Sequence, residues 1–247
     1  MHAFLKLAIV QTKLYLREPM GVFFTLLFGP LMLVMMGFIF GSTPQPILNG
    51  LSQLDVSVPT FIALIVGITG LMSIPIGTIL RREMGVLRRF SATPLKPITY
   101  FLTDILAPFL VTLLGVALLV VMGLLVYQVR FEGNWLNVLS GVCLCTLSFF
   151  ALGYGLAGLF KSARIYTVLG NVIIIPIAIL SGAMVPLEVM PKSIQDISRF
   201  DPLAHAVTLL RGLWFGDAWG QHLLEVAVLG GILLLGMLVI ALTFKWE

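Results

Sequence analysis

The chain has 247 residues, of which 59% are hydrophobic and only 11% charged, with a mean hydropathy of +1.08 and a formal net charge of +4. Soluble domains carry roughly 25% charged residues, so this composition excludes one and makes the chain an integral membrane protein. The basic excess is an orientation signal, and with no basic patch interleaved with aromatics standing clear of apolar sequence, nucleic acid is rejected as a partner.

Residues 1–18 place His2, Lys6, Lys13 and Arg17 within about 60° of arc at helical pitch, with Phe4, Leu7, Ile9, Val10, Leu14 and Leu16 covering the rest. This reads as a helix lying in the membrane interface; its charges run throughout, unlike a secretory signal. Glu18-Pro19 breaks it. Val22 to Phe40 then has 19 residues without a charge, enough to cover most of a hydrocarbon core about 30 Å thick. Pro30 is expected to kink this first span, and Gly37 and Gly41 offer a small face for a neighbouring helix.

After a loop over Ser42 to Ser57, Pro59 suits the first turn of a second span at 60–80. It delivers the chain to RREMGVLRRFSATPLK, residues 81–96, which holds five basic residues. At 100° per residue Arg81, Arg82, Arg88 and Arg89 share about a third of the circumference, opposite Val86, Leu87 and Phe90. That pattern predicts a short amphipathic helix, ended by Ser91 and Pro94 and ordered by docking. An ordinary positively charged loop is the simpler reading of the charge.

The apolar run Ile98 to Val129 is too long for one perpendicular span. Asp104 and Pro108 are expected to divide it, leaving 98–107 partly interfacial and 109–127 as span three. A hairpin over 128–135 leads to span four at 138–160. There Gly153, Gly155 and Gly158 match G-x-G-x-x-G, but within about 23 uncharged residues, with no strand before them, they suit helix packing rather than a dinucleotide. Cys143 and Cys145 point about 200° apart on a helix and read as buried thiols.

Lys161 to Arg164 makes a short basic turn before span five at 165–185, which contains Asn171 and Pro176. Residues 186–222 are mixed. Pro191 opens a short segment with Ile194, Ile197 and Phe200 on one side; Asp201 and Pro202 form a cap and first turn for a second, with Leu203, Val207, Leu210 and Trp214 along one face. Both read as half-inserted helices of the outer leaflet. Span six is 223–244. The chain is therefore all-α, a polytopic membrane protein with six transmembrane helices in one domain, 1–247. Eleven of the 15 Lys and Arg residues fall on the side of both termini, which places the termini in the cytoplasm and the chain in the inner (plasma) membrane.

No P-loop, H-E-x-x-H motif or paired intramembrane carboxylates occur, so any ATP hydrolysis must be done by another subunit and proton relay is not indicated. Ser181-Gly182 and His205 invite comparison with an intramembrane serine protease, yet Ile179 stands where a glycine is expected and His205 lies outside the spans.

Two stretches carry a resemblance. In LSGAMVPLEVMPKSIQDISRFDPLAHAVTLLRGLW, the pairs and triplets Leu180-Ser181-Gly182, Pro186-Leu187, Met190-Pro191, Pro202-Leu203 and Leu210-Arg211-Gly212 are similar to the signature of type-2 ABC exporter permeases. The loop resembles the same family at Arg82-Glu83, Gly85, Leu87, Arg89 and Ala92 to Leu95. Asp201 stands where that family has Asn, and Val86 and Arg88 where it has Thr and Glu. The resemblance implies a transport subunit, not an enzyme: a permease paired with a second copy and with two ATPase subunits, which bind the ATP and Mg that this chain does not. It implies that 81–97 is a cytoplasmic coupling loop touching the ATPase through Arg82, Glu83, Gly85, Val86, Leu87, Arg88, Arg89 and Phe90. It also implies an outer re-entrant segment at 186–222 shaped by Pro186, Pro191, Asp201, Pro202 and Arg211, and a path near Met35, Thr69 and Asn171. The expected cargo is amphipathic, a drug, lipid or lipid-linked glycan; the alternative is a channel or secondary carrier working without ATP, and a membrane-embedded enzyme ranks third.

Overall fold

The computed structural model describes residues 2–41, 43, 50–86, 97–184, 187 and 190–243. Helix α1 (His2–Leu16) precedes α2 (Pro19–Val22), which continues through a π-helical turn (Phe23–Leu27) into α3 (Phe28–Phe40). Helix α4 (Gln53–Ile68) passes through a second π turn (Thr69–Ser73) into α5 (Ile74–Glu83). Then follow α6 (Pro97–Val126), α7 (Trp135–Leu159), α8 (Ala163–Leu180), α9 (Lys192–Ser198), α10 (Pro202–Trp214) and, after a 3-10 turn (Trp219–His222), α11 (Leu223–Thr243). Among the described residues, six helical stretches are long and apolar enough to cross a membrane: Phe23–Phe40, Gln53–Glu83, Leu102–Val126, Trp135–Leu159, Ala163–Leu180 and Trp219–Leu242.

Helix α4 is the centre of the bundle. Every residue from Leu54 to Gly67 is buried, against α3, α6, α7 and α10. It starts earlier than Pro59 suggests because Ser52 and Asp55 form a capping box: Asp55 N–H donates to Ser52 Oγ at 3.2 Å and Ser52 N–H to Asp55 Oδ2 at 2.7 Å. Pro59 therefore lies inside the helix, and Thr60 donates to the Val56 carbonyl at 2.7 Å.

The expected division of residues 98–129 does not occur. Helix α6 runs unbroken through Asp104 and Pro108, with Thr112 donating to the Pro108 carbonyl at 2.8 Å. Proline removes one ladder hydrogen bond, but unravelling the helix in lipid would expose several unpaired backbone groups, and that cost is larger.

The two π turns face one another. Thr25 in the first meets Thr69 in the second, Oγ1 to Oγ1 at 3.1 Å, and Tyr15 Oη reaches Thr25 at 3.2 Å. Glycines allow the surrounding contact: a Cβ at Gly153 would overlap the Gly70 carbonyl of the second π turn. Helix α11 packs along α7, with Gly236 against Ala151. The G-x-G-x-x-G run thus serves helix packing through Gly153 and Gly155.

Candidate functional site

The basic segment after span two is not one amphipathic helix. Arg81, Arg82 and Glu83 belong to α5, and the helix ends at Gly85, whose φ of +66° is left-handed and whose N–H donates to the Arg82 carbonyl at 3.0 Å. Val86 is helical again. The shared arc of Arg81, Arg82, Arg88 and Arg89 assumed an unbroken helix, and the turn at Gly85 removes that premise. Leu87, Arg88, Arg89 and Phe90 lie outside the described residues.

The three charged residues at the end of α5 each hold a different part of the bundle. Arg81 Nη2 donates to Asp104 Oδ2 of α6 at 3.0 Å, and Tyr154 of α7 donates to the same oxygen at 3.0 Å. Arg82 donates to the Phe160 carbonyl just past the end of α7. Glu83 Oε1 accepts from the Ala163 N–H at the start of α8, at 3.1 Å. Ser162 caps α8 without a side-chain hydrogen bond, so the carboxylate that complements this helix N-terminus comes from another helix. Arg82 and Glu83 thereby grip both sides of the turn between α7 and α8, above a cluster of Ile79, Ala157, Ala163 and Tyr166. Tyr166 stacks edge-on against Phe160 and donates to the Leu71 carbonyl in the second π turn at 2.6 Å. π turns free backbone acceptors in this way and recur at functional sites.

Beside this junction a cavity of about 670 Å³ opens between the α2–α3 stretch, the α4–α5 stretch and α8. Phe24, Phe28, Ile68, Met72 and Ile76 are among its apolar lining, Thr167 and Asn171 contribute polar atoms from α8, and Glu18 and Arg81 lie at its charged edge. The volume falls within the roughly 300–1,000 Å³ of small-molecule sites. The Glu18 carboxyl is held above the usual carboxylate range because burial outweighs the attraction of the Arg81 guanidinium.

The residues expected along a path fare differently. Asn171 lines the cavity, Thr69 is buried on Thr25, and Met35 is half exposed on α3 away from it. In the segment after α8, Pro186 lies outside the described residues, and Pro191 immediately precedes α9. Asp201 caps α10 by accepting from the Leu203 N–H at 2.8 Å, and Pro202 is its first residue. Arg211 sits in the last turn of α10, and Leu203, Leu210 and Trp214 are fully buried. Ile197 and Phe200 are exposed, Phe200 by 90%. Ser181 and His205 do not pair: Ser181 donates to the Ala178 carbonyl at 3.0 Å, and the His205 ring lies 2.9 Å from the Arg199 carbonyl oxygen.

Sequence reasoning passed over Glu18 and Asp104, read as punctuation between helices. Their signal was a shared position: each is an isolated acid at the border of an apolar run, at the same end of the bundle as Arg81.

Comparison with known proteins agrees with this architecture. A family model described as ABC-2 type transporter matches residues 2–215. The chain is 29% identical over 184 residues to the inner membrane transport permease YhhJ of Escherichia coli strain K12, covering 71% of this chain and 49% of that protein. It is 23% identical over 161 residues to the probable multidrug ABC transporter permease YbhR of the same strain, covering 65% and 44%. Nodulation protein J of Rhizobium leguminosarum bv. viciae is 30% identical over 99 residues, or 39% of this chain and 38% of that one. The chain spans about half the length of the curated permeases it matches. With a family match over most of its length and an all-helical bundle of six apolar stretches, the chain belongs to the ABC-2 type transporter family.

Proposed function

We propose that this chain is the membrane-spanning permease subunit of an ATP-driven exporter of the inner membrane, with both termini cytoplasmic. A second, identical permease completes the translocation path, and two separate ATPase subunits bind ATP and Mg and supply the force. Residues 81–97 couple the two machines, with Gly85, Val86, Leu87, Arg88, Arg89 and Phe90 facing the ATPase. The short helices α9 and α10 form the outer re-entrant segment, and the cargo is an amphipathic drug, lipid or lipid-linked glycan.

The observation that carries this reading is the double grip of Arg82 and Glu83 on the turn between α7 and α8. A push on the segment after α5 reaches α7 and α8 through these contacts, as well as α4 through the continuous Gln53–Glu83 stretch, so it deforms the cavity wall from two sides. Arg82 and Glu83 act here as internal transmission contacts. Asn171 faces the path, Thr69 supports its wall through Thr25, and Met35 lies outside this cavity.

The test is reconstitution with an ABC-type ATPase subunit that copurifies with this chain. Glu83→Lys puts a cation at the positive end of α8 and is expected to abolish substrate-stimulated ATP hydrolysis while membrane insertion stays normal. Unchanged stimulation removes the coupling assignment, and full-speed transport with no ATPase present removes the exporter reading in favour of an ATP-independent carrier.

A further inference from the structure

We propose that the cavity between α2–α3, α4–α5 and α8 selects positively charged amphiphiles, holding the cationic head at Glu18 and the ring of Phe24, and the apolar body against Phe28, Ile68, Met72 and Ile76. This rests on the export reading for its purpose but not for its chemistry.

The argument is one of charge and shape. Glu18, Arg81 and Asp104 are neighbours around one small recess that also touches Tyr15 and Tyr154, and this recess opens beside the large cavity. Arg81 is matched by Asp104 at 3.0 Å, with side chains only 16% and 4% exposed. That pair is neutral as a unit, and two carboxylates share one guanidinium. The three groups therefore carry one carboxylate more than guanidinium, and Glu18 is the one of the two acids that lies on the cavity wall. A carboxylate beside an apolar wall loses hydration, and a cationic ligand restores what burial removes. An anionic head meets repulsion at the same place. A neutral head gains nothing from it.

The aromatic lining points the same way. Phe24 and Phe28 are one turn apart with ring centroids 5.5 Å from each other and an interplanar angle of 46°, and both face the cavity. Ring faces attract a partly desolvated cation, and quaternary ammonium groups are the favoured case. The remaining lining is aliphatic or thioether and sets no shape demand beyond bulk, which suits a class of ligands rather than one compound.

The test uses two probes of one shape: a tail-labelled dodecyl chain with a trimethylammonium head, and the same chain with a neutral tert-butyl head. Binding to the full chain in phosphatidylcholine nanodiscs is measured against empty nanodiscs, without nucleotide. The expected result is saturable binding with the cationic probe favoured by about tenfold. Glu18→Gln should remove most of that preference and leave the neutral probe unchanged; Glu18→Asp, which keeps the charge, should retain most of it. Ile175→Trp, filling the cavity from α8 away from the charged recess, should weaken both probes. If Glu18→Gln fails to yield folded protein, Phe24→Leu replaces it and should cut the preference severalfold. Equal affinity for the two probes, a preference that survives Glu18→Gln and Phe24→Leu, or no saturable binding because a second copy or lipid fills the cavity, overturns the proposal. Because binding is read without ATP, it stands or falls separately from ATP-driven transport, whose failure appears only in the reconstituted assay.

Discussion

The two ends of the bundle solve the same problem with different materials. At the end carrying Asp55, polar groups are sealed under large rings: Trp214 donates to the Arg130 carbonyl at 2.8 Å, and Asp55 accepts from the Arg130 N–H at 2.8 Å. Phe131 stacks on Trp135 with centroids 3.9 Å apart, and Trp214 meets both edge-on. At the end carrying Arg81, helices are tied by single polar contacts around a cavity: Arg81 to Asp104, Arg82 to Phe160, Glu83 to Ala163. Close packing resists any displacement, whereas isolated polar contacts can be exchanged at modest cost once a helix moves. Under the proposed coupling, the first end is the anchor and the second the joint.

This contrast sets an order of mutational effects. Trp214→Ala removes a fully buried indole and leaves the Arg130 carbonyl without its donor, and should cost about 3–5 kcal/mol, read as lost folded yield and a much lower Tm in detergent. Asp104→Ala removes the hydrogen-bonded partner of Arg81 and the acceptor of Tyr154, leaving Glu18 as the one acid beside the guanidinium in this recess, and should cost about 2 kcal/mol in the same assay. Glu83→Ala deletes a cap supplied from another helix, so about 1 kcal/mol is expected, with a far larger effect on stimulated ATP hydrolysis than on Tm. If Glu83→Ala lowers Tm as much as Trp214→Ala, the distinction between anchor and joint is broken.

The smallest effect is a gain. Burial pushes the Asp201 carboxyl up to about 6, against the N–H groups of Leu203 and Ala204 and the charge of His205, and its Oδ2 is buried without a hydrogen-bond partner. A carboxyl whose pKa is raised on folding stabilises the fold least when ionised, so its penalty sets in as pH rises from the unfolded value near 3.8 and is complete above about 6. Asp201→Asn keeps the cap and removes the charge. It should raise Tm by an amount corresponding to about 1 kcal/mol at pH 7 and by almost nothing at pH 4. An equal gain at both pH values would assign the effect to packing instead.

The helical class and the six apolar stretches were legible because lipid leaves a backbone few alternatives, and uncharged runs such as Phe23–Phe40 announce themselves by length. The cap at Asp201-Pro202 and the buried face of Leu203, Val207, Leu210 and Trp214 were also legible, being local signals read within one turn or at helical spacing. The unbroken course of α6 was not. Asp104 and Pro108 look like breakers until Asp104 acquires Arg81 and Tyr154 from two other helices.

The amino-acid sequence by itself determined that this chain lies in a membrane, which stretches cross it, and which family its spaced motifs resemble, because hydrophobic length and local capping need no partner. Tertiary structure alone decided that Glu83 caps a helix 80 positions away, that two π turns meet at Thr25 and Thr69, and that Glu18 lies on a cavity wall beside Arg81. The reason is physical: a polar side chain among apolar helices takes whichever partner the packing brings within about 3 Å, and that partner is chosen by the folded arrangement rather than by distance along the chain.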